Sequence, residues 1–340
     1  MRRSKASSAS QAAEPAPPSL VEITITLSRS TADLVSELLF ESRATAIAVS
    51  EESDVRLRTY LPDDAALRPA LLRVRRYLSS LRALGIDPGP ASVVTRRFRD
   101  RGWATRWKQF FRPMRIGSRL VVRPSWGEHV AGEDDVVVDL DPGMAFGTGQ
   151  HPTTRFCLEL LEQAFKTFKV DGSQSTGRRD QRQMIVNTEQ STVNREPAVL
   201  DLGTGSGLLA IAAFRFGAGA VLALDTDAVA CRVASENIRR NRGDGRIVVK
   251  QGSLEAAGRR TFDLVLANLT AEQLVGLGSR LGRLLRPRGR LVASGILTSQ
   301  ERRVVKAFRR SGMALERVRR GRGWVGLMLR RDVPPPHGSS

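Results

Sequence analysis

The sequence predicts an α/β protein in two parts, a small α/β sandwich followed by an open, largely parallel sheet with helices on both faces. Three observations carry this. From Pro197 onward, apolar runs of strand length alternate with longer runs of helical spacing, the pattern of a doubly wound sheet. The first of those runs, AVLDLG, feeds directly into a glycine-rich turn and a helix. Residues 20–98 carry a separate apolar pattern that opens strand, helix, strand. At 340 residues the chain has room for two domains.

Residues 1–18 are rich in Ser, Ala and Pro, offer almost no core side chains, and are expected to be a disordered tail. In residues 19–98, LVEITITLS alternates like a half-buried strand. TADLVSELLFES then has helical spacing from Thr31 as its cap, and ATAIAVSEE returns to strand. A strand over residues 55–60, a helix over 65–83, a turn over 85–90 and a strand over 91–98 complete the sandwich. Residues 99–126 are expected to form a linker helix and strand. Trp103 and Trp107 share one helical face there, and Phe110 and Phe111 extend it, as domain packing or a substrate-contacting surface.

The larger domain is expected over residues 127–332, with a short tail at 333–340. It opens with VVVDLDPGMAFGTGQHPTT, a strand and a glycine-containing loop, and a helix starts at His151 or Pro152, since proline suits a first helical turn. Residues 167–196 are polar and without clear periodicity, and they read as a surface insertion. From Pro197 the strand-like runs AVLDLG, AVLALD, IVVKQG, FDLVLANL, RLVASGIL, ALERVRR and GWVGLMLRR alternate with helical ones.

Composition narrows the function. A hydrophobic fraction of 41% with 26% charged residues supports a sizeable core and excludes wholesale disorder. No run approaches 18 apolar residues and the first twenty lack a secretory signal, so a cytoplasmic protein with no membrane contact is expected. Two cysteines, Cys157 and Cys231, and three histidines give no framework for disulfides or a metal cluster, and no metal is expected. The net charge is +19, and residues 280–332 hold 16 Lys and Arg against three Asp and Glu. Such a region is either a solvated surface or a contact with RNA or a ribonucleoprotein.

The strongest local signal is AVLDLGTGSGLLAIAA, in which Asp201, Gly203, Gly205 and Gly207 follow a strand and precede a helix. Glycines let backbone approach a ligand without a Cβ clash. The dinucleotide pattern G-x-G-x-x-G fails, because counting from Gly203 its third glycine falls on Leu208. The spacing D-x-G-x-G-x-G instead resembles the first motif of class I S-adenosylmethionine-dependent methyltransferases, a Rossmann-like fold. Asp225 ends the next strand, where a carboxylate can accept both hydroxyl hydrogens of a ribose. Asn268 ends the run FDLVLAN, as an acceptor for a substrate amine or as a turn former.

The order of motifs carries a more specific resemblance. WATRWKQFFRPMRIGSRLVVRPSW, DPGMAFGTGQHPTT, DLGTGSG with Asp225, ANL at 267–269, SGIL at 294–297 and GWVGLMLRR together make residues 99–332 similar to the PrmA-type family, the bacterial methyltransferases of large-subunit ribosomal protein eleven. The resemblance implies S-adenosyl-L-methionine as cofactor, held at Thr154, Gly203, Gly205, Asp225 and Asn268, with Phe146, Gly147 and Thr148 in a loop closing over its methionine end. It implies Asn268 as the catalytic residue, methylation of lysine side-chain and N-terminal amines, and recognition of the ribosomal protein by residues 19–98. A monomer is expected. Two departures stand out: the insertion, and Thr270 where an apolar residue is usual. His151 is either a catalytic base or, the favoured reading, a helix-capping and loop-packing residue. Two rival functions remain at this point, methylation of an RNA or DNA base and a non-catalytic ribosome-assembly factor. Base-directed enzymes of this fold commonly place an aromatic after two prolines at that strand end, where this chain has Leu269 and Thr270.

Overall fold

The computed structural model describes residues 20–28, 31, 32, 35, 38, 39, 47–51, 55–83, 85–97, 113–141, 149, 151–173 and 196–332. The aromatic run containing Trp103, Trp107, Phe110 and Phe111, the loop residues Phe146, Gly147 and Thr148, and both tails lie outside them.

The first sheet has the order β2-β3-β1-β4, from strands β1 (Leu20–Leu27), β2 (Ile47–Glu51), β3 (Val55–Pro62) and β4 (Ser92–Arg97), all antiparallel to their neighbours. Its alternation is that of the sequence: Val21, Ile23, Ile25 and Leu27 point into a core completed by Leu67, Val74 and Leu78 of helix α1 (Leu67–Ala83). Thr31 is not a cap. Residues 31 and 32 are already helical, Thr31 is buried, and the Ser28 carbonyl accepts from the backbone N–H groups of both Thr31 and Ala32. The turn therefore begins at Ser28, whose hydroxyl lies 3.0 Å from that of Thr31.

A three-stranded sheet follows, with β5 (Met114–Ile116), β6 (Leu120–Arg123) and β7 (Val136–Asp139) in that order and β6 parallel to β7. The boundary expected between residues 126 and 127 runs through this sheet, because ladder hydrogen bonds tie the strand assigned to the linker to the first strand assigned beyond it.

Seven strands form the main sheet: β8 (Ala198–Leu202), β9 (Ala220–Asp225), β10 (Ile247–Gln251), β11 (Phe262–Asn268), β12 (Leu285–Leu297), β13 (Met313–Gly321) and β14 (Trp324–Arg331). Their order is β10-β9-β8-β11-β12-β14-β13, and β14 runs antiparallel between β12 and β13. Consecutive residues serve opposite faces. Val199, Val221 and Leu264 pack beneath α2 (Pro152–Ser173), α3 (Leu208–Phe216) and α4 (Ala228–Arg240). Leu200, Leu222 and Val265 pack beneath α5 (Ala271–Leu284) and α6 (Glu301–Arg310). Burial on both faces is why these strands read as continuous apolar runs.

Helix α2 continues through Ser173, so residues 167–173 extend a helix where the sequence suggested the start of an insertion. Phe168 explains it. Its ring meets Phe165 edge-on at 5.7 Å and carries the Arg290 guanidinium 5.4 Å from its centroid, one turn beyond the buried Ala164 and two beyond the buried Leu161. The remainder of that segment, 174–195, lies outside the described residues.

Candidate active site

Strand order reverses between β8 and β11, and in open α/β sheets ligands bind in the crevice outside the carboxyl ends of strands at such a point. The in-register ends of four strands meet here: Leu202 pairs with Leu224, Ala267 with Leu202, and Asn268 with Ser294.

The glycine turn after β8 is held from below. Gly203 has φ +74°, and a Cβ there would come within 2.8 Å of the Leu269 side chain, so the position accepts only glycine without strain. The N–H groups of Gly203 and Thr204 both donate to the Leu224 carbonyl, at 2.8 and 2.9 Å. Asp201, fully buried, accepts through Oδ2 from the Thr204 hydroxyl at 2.7 Å and from the Ala210 N–H at 3.1 Å in the first turn of α3. A carboxylate at a helix N-terminus gains from the helix dipole. Burial nevertheless outweighs both hydrogen bonds and pushes the carboxyl up to about 7, with the charge of Asp225 adding to the rise. Among the described residues its Oδ1 has no hydrogen-bond partner.

Asp225 closes the turn from the side. Oδ2 accepts from the Gly205 N–H at 2.9 Å and Oδ1 from the Asp227 N–H at 3.0 Å. An ionised carboxylate offers about four acceptor positions, so each oxygen keeps one for a ligand. Its chain position is pinned too, since the Gly252 N–H donates to its carbonyl at 2.7 Å.

Across the crevice, Asn268 Nδ2 donates to the Thr154 hydroxyl at 3.3 Å, joining residues 114 positions apart. Thr154 is only 1% exposed, so it orients the Asn268 amide from beneath, and among the described residues no donor reaches Asn268 Oδ1. The chain after Asn268 is shaped by Gly295, at φ +86°, where a Cβ would stand 2.2 Å from the Leu269 carbonyl oxygen. The Leu269 N–H donates to the Ser294 carbonyl at 3.0 Å. Thr270 caps α5: its hydroxyl accepts from the Gln273 N–H at 3.4 Å while the Gln273 side chain accepts from the Thr270 N–H at 3.0 Å, a capping box. The polar residue that departs from the family pattern thus has a local structural use.

His151 precedes α2, and its Nδ1 lies 2.8 Å from the Thr153 hydroxyl and accepts from the Thr153 N–H at 3.3 Å. Its ring meets Trp324 edge-on at 5.0 Å. Burial pushes the imidazole down to about 4, so it is neutral at pH 7 and a weak base. Capping and packing describe it. Cys157, fully buried with its thiol pushed up by burial, is no nucleophile. Among the described residues no group of three or more His, Cys, Asp or Glu is placed to hold a metal ion, and no helix is long and apolar enough to cross a membrane.

With this geometry in place, comparison with known proteins is specific. A family model described as ribosomal protein L11 methyltransferase (PrmA) matches residues 19–332. The chain belongs to the PrmA family. Among its PrmA relatives, ribosomal protein L11 methyltransferase of Chloroflexus aurantiacus is 40% identical over 305 residues, 82% of each chain. That of Pelotomaculum thermopropionicum is 40% identical over 277 residues, covering 81% of this chain and 79% of the relative. The crystal structure of ribosomal protein L11 methylase from Lactobacillus delbrueckii subsp. bulgaricus, 28% identical, superimposes with a TM-score of 0.52 over 66% of this chain and all of that one. The PrmA match takes in residues 19–98 as well, where the sequence motifs offered only pattern and length. The family description and the relatives' names favour neither rival reading, the base methyltransferase or the assembly factor.

Of the residues singled out from sequence, the structure brings Gly203, Gly205, Asp225 and Asn268 to one crevice, and it sets Thr154 beneath Asn268. Phe146, Gly147 and Thr148 lie outside the described residues. The sequence placed Asp201 in the glycine motif without giving it a role, and left Gly295 and the capping role of Thr270 unassigned. The T-x-x-Q spacing just before a helical run was a readable cap, and the contacts of Asp201 to Thr204 and Ala210 are local too, whereas the demand for glycine at 295 depends on the distant Leu269.

Proposed function

We propose that this chain transfers methyl groups from S-adenosyl-L-methionine to amines of ribosomal protein L11, on lysine side chains and at the N-terminus, as a cytoplasmic monomer, with residues 19–98 recognising the protein substrate. The observation that carries the reading is the pairing, across one switch-point crevice, of a pre-anchored Asp225 with an Asn268 whose Oδ1 is left as an acceptor.

The residues present suit the cofactor. Asp225 keeps one acceptor position per oxygen for two vicinal hydroxyls, and the turn at Gly203 and Gly205 leaves room for a ligand close to backbone. When bound, S-adenosylmethionine supplies an electrophilic sulfonium methyl group. The protein's part is to position and desolvate the amine. At pH 7 a lysine of ordinary pKa costs about 4.6 kcal/mol to deprotonate and an α-amino group about 1. A partly apolar rim such as Leu269 favours the neutral amine, and Asn268 Oδ1 accepts one N–H so that the lone pair points away from it. His151, held down to about 4 and engaged with Thr153, is not assigned as the base.

Mass spectrometry of L11 incubated with the enzyme and isotopically labelled cofactor tests the reading. Mass increments on lysine or N-terminal amines, lost in Asn268→Ala, are expected; unmodified L11 with a cofactor-binding enzyme overturns it. An RNA contact by the basic C-terminal region is a separate matter of surface charge.

A further inference from the structure

Seven of the 16 cations of residues 280–332 have a carboxylate partner. Arg280 pairs with Glu255, Arg286 with Asp263, Arg290 and Arg330 with Glu316, Arg303 with Glu272, Arg319 with Glu159 and Arg320 with Glu301. Helix α6 differs. Arg302, Lys306, Arg309 and Arg310 are all exposed, and among the described residues none has a carboxylate within ion-pairing distance. Their spacing of four, three and one puts them along one stripe. They wall a groove of about 670 Å3 floored by Val305 of α6 and Leu315 of β13. Its one carboxylate, Glu301, is taken by two hydrogen bonds from Arg320 at 2.7 and 2.5 Å.

We propose that this α6 groove docks the phosphate backbone of a nucleic-acid duplex without reading its sequence, with an RNA duplex as the probe. Arg302 to Arg310 spans about 12 Å at 1.5 Å per residue. Double-helical DNA carries one charge per about 3.4 Å along each strand, so that span matches about four phosphates of one strand. Three of the four cations are arginines, whose planar forks match phosphate oxygens in pairs. No aromatic side chain lines the groove, so it lacks the stacking platform that single strands use. A membrane-surface helix would turn large apolar residues outward, but Val304 and Phe308 are fully buried and the outward face is cationic. An acidic protein would need an equally dense run of carboxylates.

The test measures binding of the full-length enzyme to a mixed-sequence 16-base-pair RNA duplex by fluorescence anisotropy across a salt series. On the duplex coefficient known for B-DNA, four neutralised phosphates give log K against log salt a slope of roughly −3.6. The quadruple variant R302Q/K306Q/R309Q/R310Q is expected to bind at least tenfold more weakly at 100 mM salt and to flatten the slope by about 3. A control removing four cations from α1, R68Q/R73Q/R75Q/R76Q, should stay within threefold of the unaltered protein. Arg309 and Arg310 also complement the α6 dipole, so thermal denaturation of both variants accompanies the binding curves. Equal loss in the control assigns binding to bulk charge and overturns the proposal. So does an α6 variant that is folded yet binds RNA normally. Tighter α6-dependent binding of anionic phosphatidylglycerol vesicles, or of polyglutamate, than of RNA overturns the choice of partner. Methylation of free L11 by the α6 variant is expected to be unchanged, so failure here leaves the methyltransferase reading untouched.

Discussion

Replacing Asp225 by alanine isolates the cofactor side of the crevice. Of about four acceptor positions on its carboxylate, the N–H groups of Gly205 and Asp227 take two, at 2.9 and 3.0 Å, and two remain. Hydrogen bonds to a charged group contribute about 1.5 to 3 kcal/mol each, so loss of two has a ceiling of about 3 to 6 kcal/mol. Water replaces part of that in the variant. At least about 1.4 kcal/mol, a tenfold weakening, should persist. Titration calorimetry with S-adenosylmethionine and, to exclude turnover, S-adenosylhomocysteine gives the number directly. Asp227→Ala is the matched control: its Oδ1 accepts from the Val229 N–H at 2.8 Å and caps α4. Losing that cap should cost about 1 kcal/mol of stability and leave affinity within about threefold. Unchanged affinity in a folded Asp225→Ala protein would remove Asp225 from the site, and equal losses in the two variants would reassign the effect to loosening of the turn.

Gly295→Ala should lower kcat by more than its stability loss suggests, because a Cβ 2.2 Å from the Leu269 carbonyl displaces the chain carrying Asn268; wild-type kcat in a folded variant contradicts this. Asp201 should make stability fall as pH rises. Its folded carboxyl titrates at about 7 and an unfolded one near 3.9, so its contribution is full below about pH 4 and is lost toward pH 7. The swing is at most about 4 kcal/mol; urea denaturation of Asp201→Asn, compared with the native protein from pH 4 to 8, reads it as a widening advantage for the variant. His151 acts in the opposite sense. Its folded imidazole titrates at about 4 against 6.5 unfolded, so stability present above pH 6.5 is lost as pH falls toward 4, and His151→Gln should flatten that limb of the profile. Deleting residues 19–98 should spare cofactor affinity but lower kcat/KM on full-length L11 at least about tenfold; undiminished kcat/KM refutes the recognition role.

The features legible in the linear chain are those whose cause is local. The glycine turn after β8, Asp225 at a strand end and the opening of α2 at Pro152 each follow from the preferences of a few neighbouring residues, and the two-faced burial of the sheet from its continuous apolar runs. Even the capping box of Thr270 and Gln273 was written in four consecutive residues. Tertiary structure decided the remainder, because it depends on distances that sequence separation does not encode. Thr154 reaches Asn268 only when α2 lies under the end of β11, and Gly295 must be glycine only because Leu269 passes over it. Phe168 prolongs a helix because Phe165 and Arg290 are there to meet it. The 16 cations of residues 280–332 look alike in sequence. Folding brings carboxylates to seven of them; of the other nine among the described residues, four lie together on the outer stripe of α6, and charges gathered at the surface without ion-pair partners are the ones that can attract a partner.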